Sequence, residues 1–191
     1  MKTIYLLLTC SRTLFSRSIR LLTTAPYTHV ALSLDGKCYY SFGRKNPYIP
    51  FPAGLVQESA ESGFLRVFPH TRCALLALEV TEAAYRRLEI RLGQMVASQK
   101  YYRYNLLGAL LCGVGIRYER RRRYFCSEFV GELLTKSDAA LLPKVPSLMQ
   151  PIDYAFLPGV QVLYTGQAGE LMEMLCPISD NILLPRPCIP A

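Results

Sequence analysis

Histidine is nearly absent from this chain of 191 residues, which has only two. Charge is also sparse, at 19% of residues, against 51% hydrophobic and 11% aromatic. That balance excludes intrinsic disorder, and twelve glycines without a period exclude a collagen-like repeat. Long apolar runs are missing. The longest later one, Leu106 to Ile116, is broken by Gly108, Gly113 and Gly115 and falls well short of the roughly 20 residues a helix needs to cross a bilayer. No membrane span is expected. The seven cysteines, at 10, 38, 73, 112, 126, 176 and 188, form no CxxC and share no zinc-type spacing with the histidines, so no metal is expected. The glycines of 108 to 115 lack the lysine and spacing that cradle phosphate, so no nucleotide or other cofactor is expected either.

What is present describes one folded domain over residues 1–175, followed by a Pro-rich tail over 176–191. Twenty-two Lys and Arg against fourteen Asp and Glu give a net charge of +8, which hints at anionic partners. Aromatic and basic residues do not interleave as in single-strand binders, so nucleic acid is not expected. An odd number of cysteines, most in apolar runs, reads as buried free thiols in a reducing, cytoplasmic setting. The start, Met-Lys-Thr-Ile-Tyr-Leu-Leu-Leu-Thr-Cys, reads best as a first strand; a short secretory or lipoprotein signal ending at Cys10 stays open as a secreted or lipid-anchored alternative. Nothing in the sequence specifies an oligomeric state.

Period and turn chemistry give the elements. Ile4 to Thr9 is a buried strand, and apolar residues at Leu14, Phe15, Ile19 and Leu22 predict a helix over 11–22. Tyr27 to Leu34 and Cys38 to Phe42 predict two strands joined by a turn at Asp35-Gly36. Residues 44–54, with three prolines, read as irregular; 63–69 and 74–80 read as further strands. Thr81 caps a helix running to about Gln99, with Tyr85, Leu88, Leu92, Met95 and Val96 on one stripe. Ser127 to Lys136 predicts a helix with Cys126 at or just before its N-terminus. Residues 160–164 read as a last strand. The whole is an α+β domain with a mostly antiparallel sheet.

Cys126 carries the chemistry. A thiol at a helix N-terminus meets aligned peptide dipoles and free N–H groups, which favour thiolate and can hold an oxyanion. His29, inside a strand in Tyr-Thr-His-Val-Ala-Leu, is a rigidly held candidate base for it; His70 follows Pro69 at a strand end and is not. Arg120 to Arg123 reads as a solvated charge run, with Glu58 and Glu128 as candidate partners.

With those residues in hand, the chain resembles the circularly permuted branch of the NlpC papain-like superfamily, which holds YiiX-like peptidases and lecithin-retinol-acyltransferase-like proteins. Thr28-His29-Val30-Ala31 with its Asp35-Gly36 hairpin, then Tyr124-Phe125-Cys126-Ser127-Glu128-Phe129-Val130 opening a helix, carry the likeness over about residues 2–166. The resemblance implies a permuted papain-like fold, Cys126 as nucleophile, His29 as general base and a polar orienter about twelve residues on, at Ser41. Whether Ser41 shares His29's face depends on the turn: a three-residue turn that includes Lys37 places it there, a two-residue turn does not. Tyr27, Tyr104 and Asn105 are implied to line the substrate pocket. The activity implied is hydrolysis of an amide, in a peptide that is cell-wall derived or in a small molecule, through a thioester. Transfer to or from lipid esters, and an inactive basic binding module for anionic polymers, are the alternatives.

Overall fold

The computed structural model describes residues 1–10, 26–46, 52–59 and 67–175. Its centre is a six-stranded antiparallel sheet in the order β4-β3-β2-β1-β5-β8. The strands are β1 (Lys2–Cys10), β2 (His29–Ser33), β3 (Cys38–Arg44), β4 (Ala53–Ser59), β5 (Arg72–Val80) and, closing the far edge, β8 (Val160–Gln167). A short parallel pair, β6 (Arg103–Tyr104) with β7 (Arg123–Tyr124), forms a second sheet. The helices are α1 (Glu82–Ala97), α2 (Leu106–Gly113), α3 (Cys126–Lys136) and α4 (Ala168–Leu175). This is a mixed α and β architecture built on an antiparallel sheet.

β1 is flanked by β2 and β5 and covered on both faces, which is why Leu6, Leu7 and Leu8 can be consecutive and all buried. Ile4, Leu6 and Leu8 point to the face shared by α1 and α3, where Leu88, Leu92, Phe129, Val130 and Leu133 are buried against them. Leu7 points the other way, to a smaller cluster closed by Ala168 and Leu171 of α4. Fully burying one such leucine stabilises by about 1.5–3 kcal/mol. Thr81 caps α1, its Oγ1 accepting from Ala84 N at 3.2 Å.

Several expectations need correcting. Ala53 and Gly54, expected within the irregular stretch 44–54, open β4, the edge strand paired with β3 from Cys38↔Ser59 to Arg44↔Ala53, and residues 55–59 carry no strand signal in the sequence. Edge position reconciles it with Pro52 just before it, since one side of an edge strand needs no donors. The expected strand over 63–69 does not exist at Val67 to Pro69, and 63–66 lie outside the described residues, as do the expected helix over 11–22 and the tail over 176–191. Cys38 is disulfide-bonded, against the reading of every cysteine as free; Cys10, Cys73, Cys112 and Cys126 are free and buried. No helix among the described residues is long and apolar enough to cross a membrane.

Candidate active site

The start of α3 is fixed from three sides. Phe125, extended at φ −104° and ψ 172°, is its N-cap. Its N–H donates to Glu128 Oε2 at 3.3 Å, and Asn105 Nδ2 donates to the same oxygen at 3.4 Å. Asn105 meanwhile caps α2, its Oδ1 accepting from Gly108 N at 3.1 Å, and its N–H donates to Tyr124 O at 2.9 Å. Tyr154 reaches in from below, its hydroxyl donating to Ser127 O at 2.6 Å. Under this turn Phe42 of β3 packs on Phe129 and Tyr124, with ring centroids 5.1 and 5.5 Å away. One side chain, Asn105, thus ties the beginnings of α2 and α3 together.

Cys126 is therefore the first residue of α3, in the lining of a small cleft. Tyr27, Thr28 and Tyr104 line the cleft with Ala109, Cys112, Gln150 and Pro151. Its sulfur faces the N–H groups of Val30, Ser127 and Cys126 itself, and the Ser127 hydroxyl. These donors favour thiolate, yet burial outweighs them and pushes the Cys126 thiol above its ordinary value. That direction is the reverse of the one a helix N-terminus favours. Glu128 is also dominated by burial, which pushes its carboxyl up to about 7 against the donors Asn105 and Phe125. Among the described residues no ion pair joins it to the 120–123 run, where the sequence suggested a partner.

The register of β2 on β3, Leu32↔Tyr40 and Ser33↔Tyr39, leaves Asp35, Gly36 and Lys37 as a three-residue turn. Asp35 Oδ1 holds that turn by accepting from Lys37 N at 2.8 Å and Cys38 N at 2.9 Å. Continued, the register sets Ala31 opposite Ser41 and His29 opposite Gly43, so Ser41 shares His29's side of the pleat. His29 Cε1 accordingly lies 3.5 Å from where a Gly43 Cβ would sit. Ser41, however, orients no imidazole. Its hydroxyl donates to Val30 O at 2.6 Å.

The same register exposes an opening in the sheet. Paired residues in an antiparallel ladder exchange bonds at every second position, so beyond Leu32 and Tyr40 the next exchange belongs to Val30 and Phe42. The ladder stops short of it. The Val30 carbonyl takes the Ser41 hydroxyl instead, and the Val30 N–H turns to Cys126 Sγ.

Val30 lies in the cluster under α3, whereas Ala31 lies in the cluster on the opposite face. By the strand period His29 goes with Ala31. Cys126 and His29 are consequently neighbours through the β2 backbone, and among the described residues no hydrogen bond joins their side chains. Burial, with the Arg44 guanidinium nearby as a second cause, lowers His29 to about 4 and leaves the ring neutral at pH 7. His70 is remote, its Nδ1 3.0 Å from Gln167 Oε1. Asn105 is a correction too: it is a buried cap and does not line the cleft. Ser127, Val30 and Gln150 were not foreseen. Ser127 was findable, because the residue after a helix-start nucleophile offers its N–H to the same anion; the role of Val30 depends on where a ladder ends.

No family model matches the chain, and no curated protein matches it.

Proposed function

We propose that the protein is a cysteine-dependent hydrolase of amide bonds, of the permuted papain-like NlpC type, with Cys126 as nucleophile and His29 as base. The observation that carries this reading is the placement of Sγ: first turn of a helix, lining of a small cleft, and surrounded by three backbone N–H groups and a hydroxyl. Those donors are the kind that hold a developing oxyanion or thiolate. In the proposed cycle the thiol proton passes to a neutral His29 nitrogen as sulfur attacks the carbonyl carbon. The tetrahedral adduct collapses to a thioester, the amine leaves with the proton, and water then releases the acid and restores the thiol. This step requires the His29 ring to come within hydrogen-bond reach of sulfur from the opposite side of β2. Cell-wall type peptides and small lysine-containing amides are the substrates to try first.

A second reading has its own observation. Burial raises the Cys126 thiol above its ordinary value, and among the described residues no hydrogen bond joins it to His29, which suits an inactive cleft that binds anionic polymer. Intact-mass spectrometry after mixing with peptide amides and with simple aryl esters separates the readings. A hydroxylamine-sensitive acyl adduct on Cys126, absent in Cys126→Ala, with turnover of amides lost in His29→Ala and kept in His70→Ala, supports the hydrolase. Adducts from esters alone favour the lipid-ester alternative. No adduct on Cys126, together with salt-sensitive binding to anionic polymer, replaces the enzyme by the binding module.

A further inference from the structure

α2 is apolar on every side. Gly108, Ala109 and Cys112 are buried, and Ala109, Cys112 and Gly113 line the Cys126 cleft. The opposite side carries Leu106, Leu107, Leu110, Leu111 and the C-cap Val114, which fall within one broad arc of a 3.6-residue helix. Water faces them: Leu107 is 49% exposed, Val114 55%, and Ile116 just beyond 52%. A helix of this kind is ordinarily buried in protein or lipid, because an outer face of a water-borne helix should be polar.

Charge gathers around that face with one sign. Between residues 100 and 123 there are seven basic side chains and one acidic, Glu119, and Glu119 is taken by Arg117 at 2.9 Å and by Ser147 at 2.6 Å. Arg120, Arg121 and Arg122 are exposed, and among the described residues none is in an ion pair. Tyr101, 55% exposed at the same end, has Lys100 and Arg122 over its ring, at 5.1 and 5.6 Å. An apolar ridge bordered by arginines and an exposed tyrosine has the two properties that an anionic lipid surface selects: burial of leucines at the acyl boundary and attraction to headgroup phosphate.

We propose that α2 with the 114–123 segment is a docking surface for an anionic membrane, lying in the interface plane without spanning it. The surface argument stands apart from the proposed chemistry of Cys126. A second copy of the chain is the competing occupant, and arginines facing arginines across a two-fold make it the poorer fit.

Co-sedimentation of the full chain with vesicles of phosphatidylcholine containing about a third phosphatidylserine, against vesicles of phosphatidylcholine alone, tests this. Binding is expected only to the anionic vesicles, falling steeply between about 0.1 and about 0.5 M NaCl. Arg120→Ala with Arg121→Ala should weaken it roughly thirty-fold, about fivefold per arginine. Leu107→Glu with Val114→Glu should abolish it, with circular dichroism and melting unchanged because both sites are exposed. Three results overturn the proposal: no binding by the full chain, equal binding by the glutamate variant, or a dimer in gel filtration that the glutamate variant dissociates.

Discussion

Replacing Glu128 by Gln tests whether burial or the helix terminus governs the polar groups at the start of α3. Glu128 is 4% exposed, and its carboxyl accepts from Phe125 N and Asn105 Nδ2 through one oxygen, a role the amide oxygen of Gln can keep. Helix dipole and donors favour the anion; burial opposes it and wins, taking the group from 4.5 to about 7. The sign follows from proton counting. Between pH 4.5 and 7 the native state keeps a proton that the unfolded chain has released, so stability declines as pH rises through that window. A shift of that size corresponds to a loss of up to about 3 kcal/mol, complete above about pH 8. Gln cannot ionise and escapes it. Urea unfolding of both proteins at about pH 5 and about pH 8.5 should show the variant's advantage growing by as much as about 3 kcal/mol toward the higher pH. An advantage that is the same at both pH values, or that shrinks, would refute the reasoning and mean that the carboxylate ionises normally beside the helix N-terminus.

Four other outcomes are expected. His29 titrates in the opposite sense: with its native value near 4 it should contribute stability that is lost as pH falls from about 6.5, and His29→Gln should flatten that acid limb in the same urea series. Iodoacetamide at about pH 6 should not select Cys126, and peptide mapping should show its labelling rising with pH, because burial pushes the thiol above its ordinary value. Gly131→Ala should destabilise by about 1–3 kcal/mol despite better helix propensity, since the new Cβ would come 2.9 Å from Tyr154 Oη and 3.1 Å from Pro146 Cβ. Thr81→Ala should cost about 1 kcal/mol through loss of the cap on α1, read as a lower melting temperature.

Elements with strong local signals were legible in the sequence. The Asp35-Gly36 turn, the Thr81 cap and the stripe of Leu88, Leu92 and Met95 each combine period with a terminus signal, and each element lies within a few residues of its expected place. β4 was hidden because the prolines before it read as a breaker, while what makes it a strand is the free edge of β3. α4 follows β8 without a break and is recognisable only by the cluster of Leu7, Ala31 and Leu75 that it covers. At the site, the location of Cys126 was readable and its chemistry was not, because a dipole is local while desolvation depends on everything packed around the sulfur. His29 was readable as a strand residue, but its direction is set by strand parity relative to Val30, which only the register of three strands decides.

The early end of the β2–β3 ladder gives the protein a built-in reporter. In a continuous sheet the Val30 amide would be protected from deuterium by Phe42 and would exchange only with opening of the strands. Here its partner is a sulfur. Exchange at Val30 therefore tracks the thiol: slow while Sγ accepts, slower still for the stronger acceptor of a thiolate, and fast once sulfur is carried away in a covalent adduct or deleted as in Cys126→Ala. Val80 pairs with Lys2 across an unbroken ladder and would keep its rate throughout. A single amide in the middle of a sheet thus reports on the state of the cysteine, with no substrate known and no label attached.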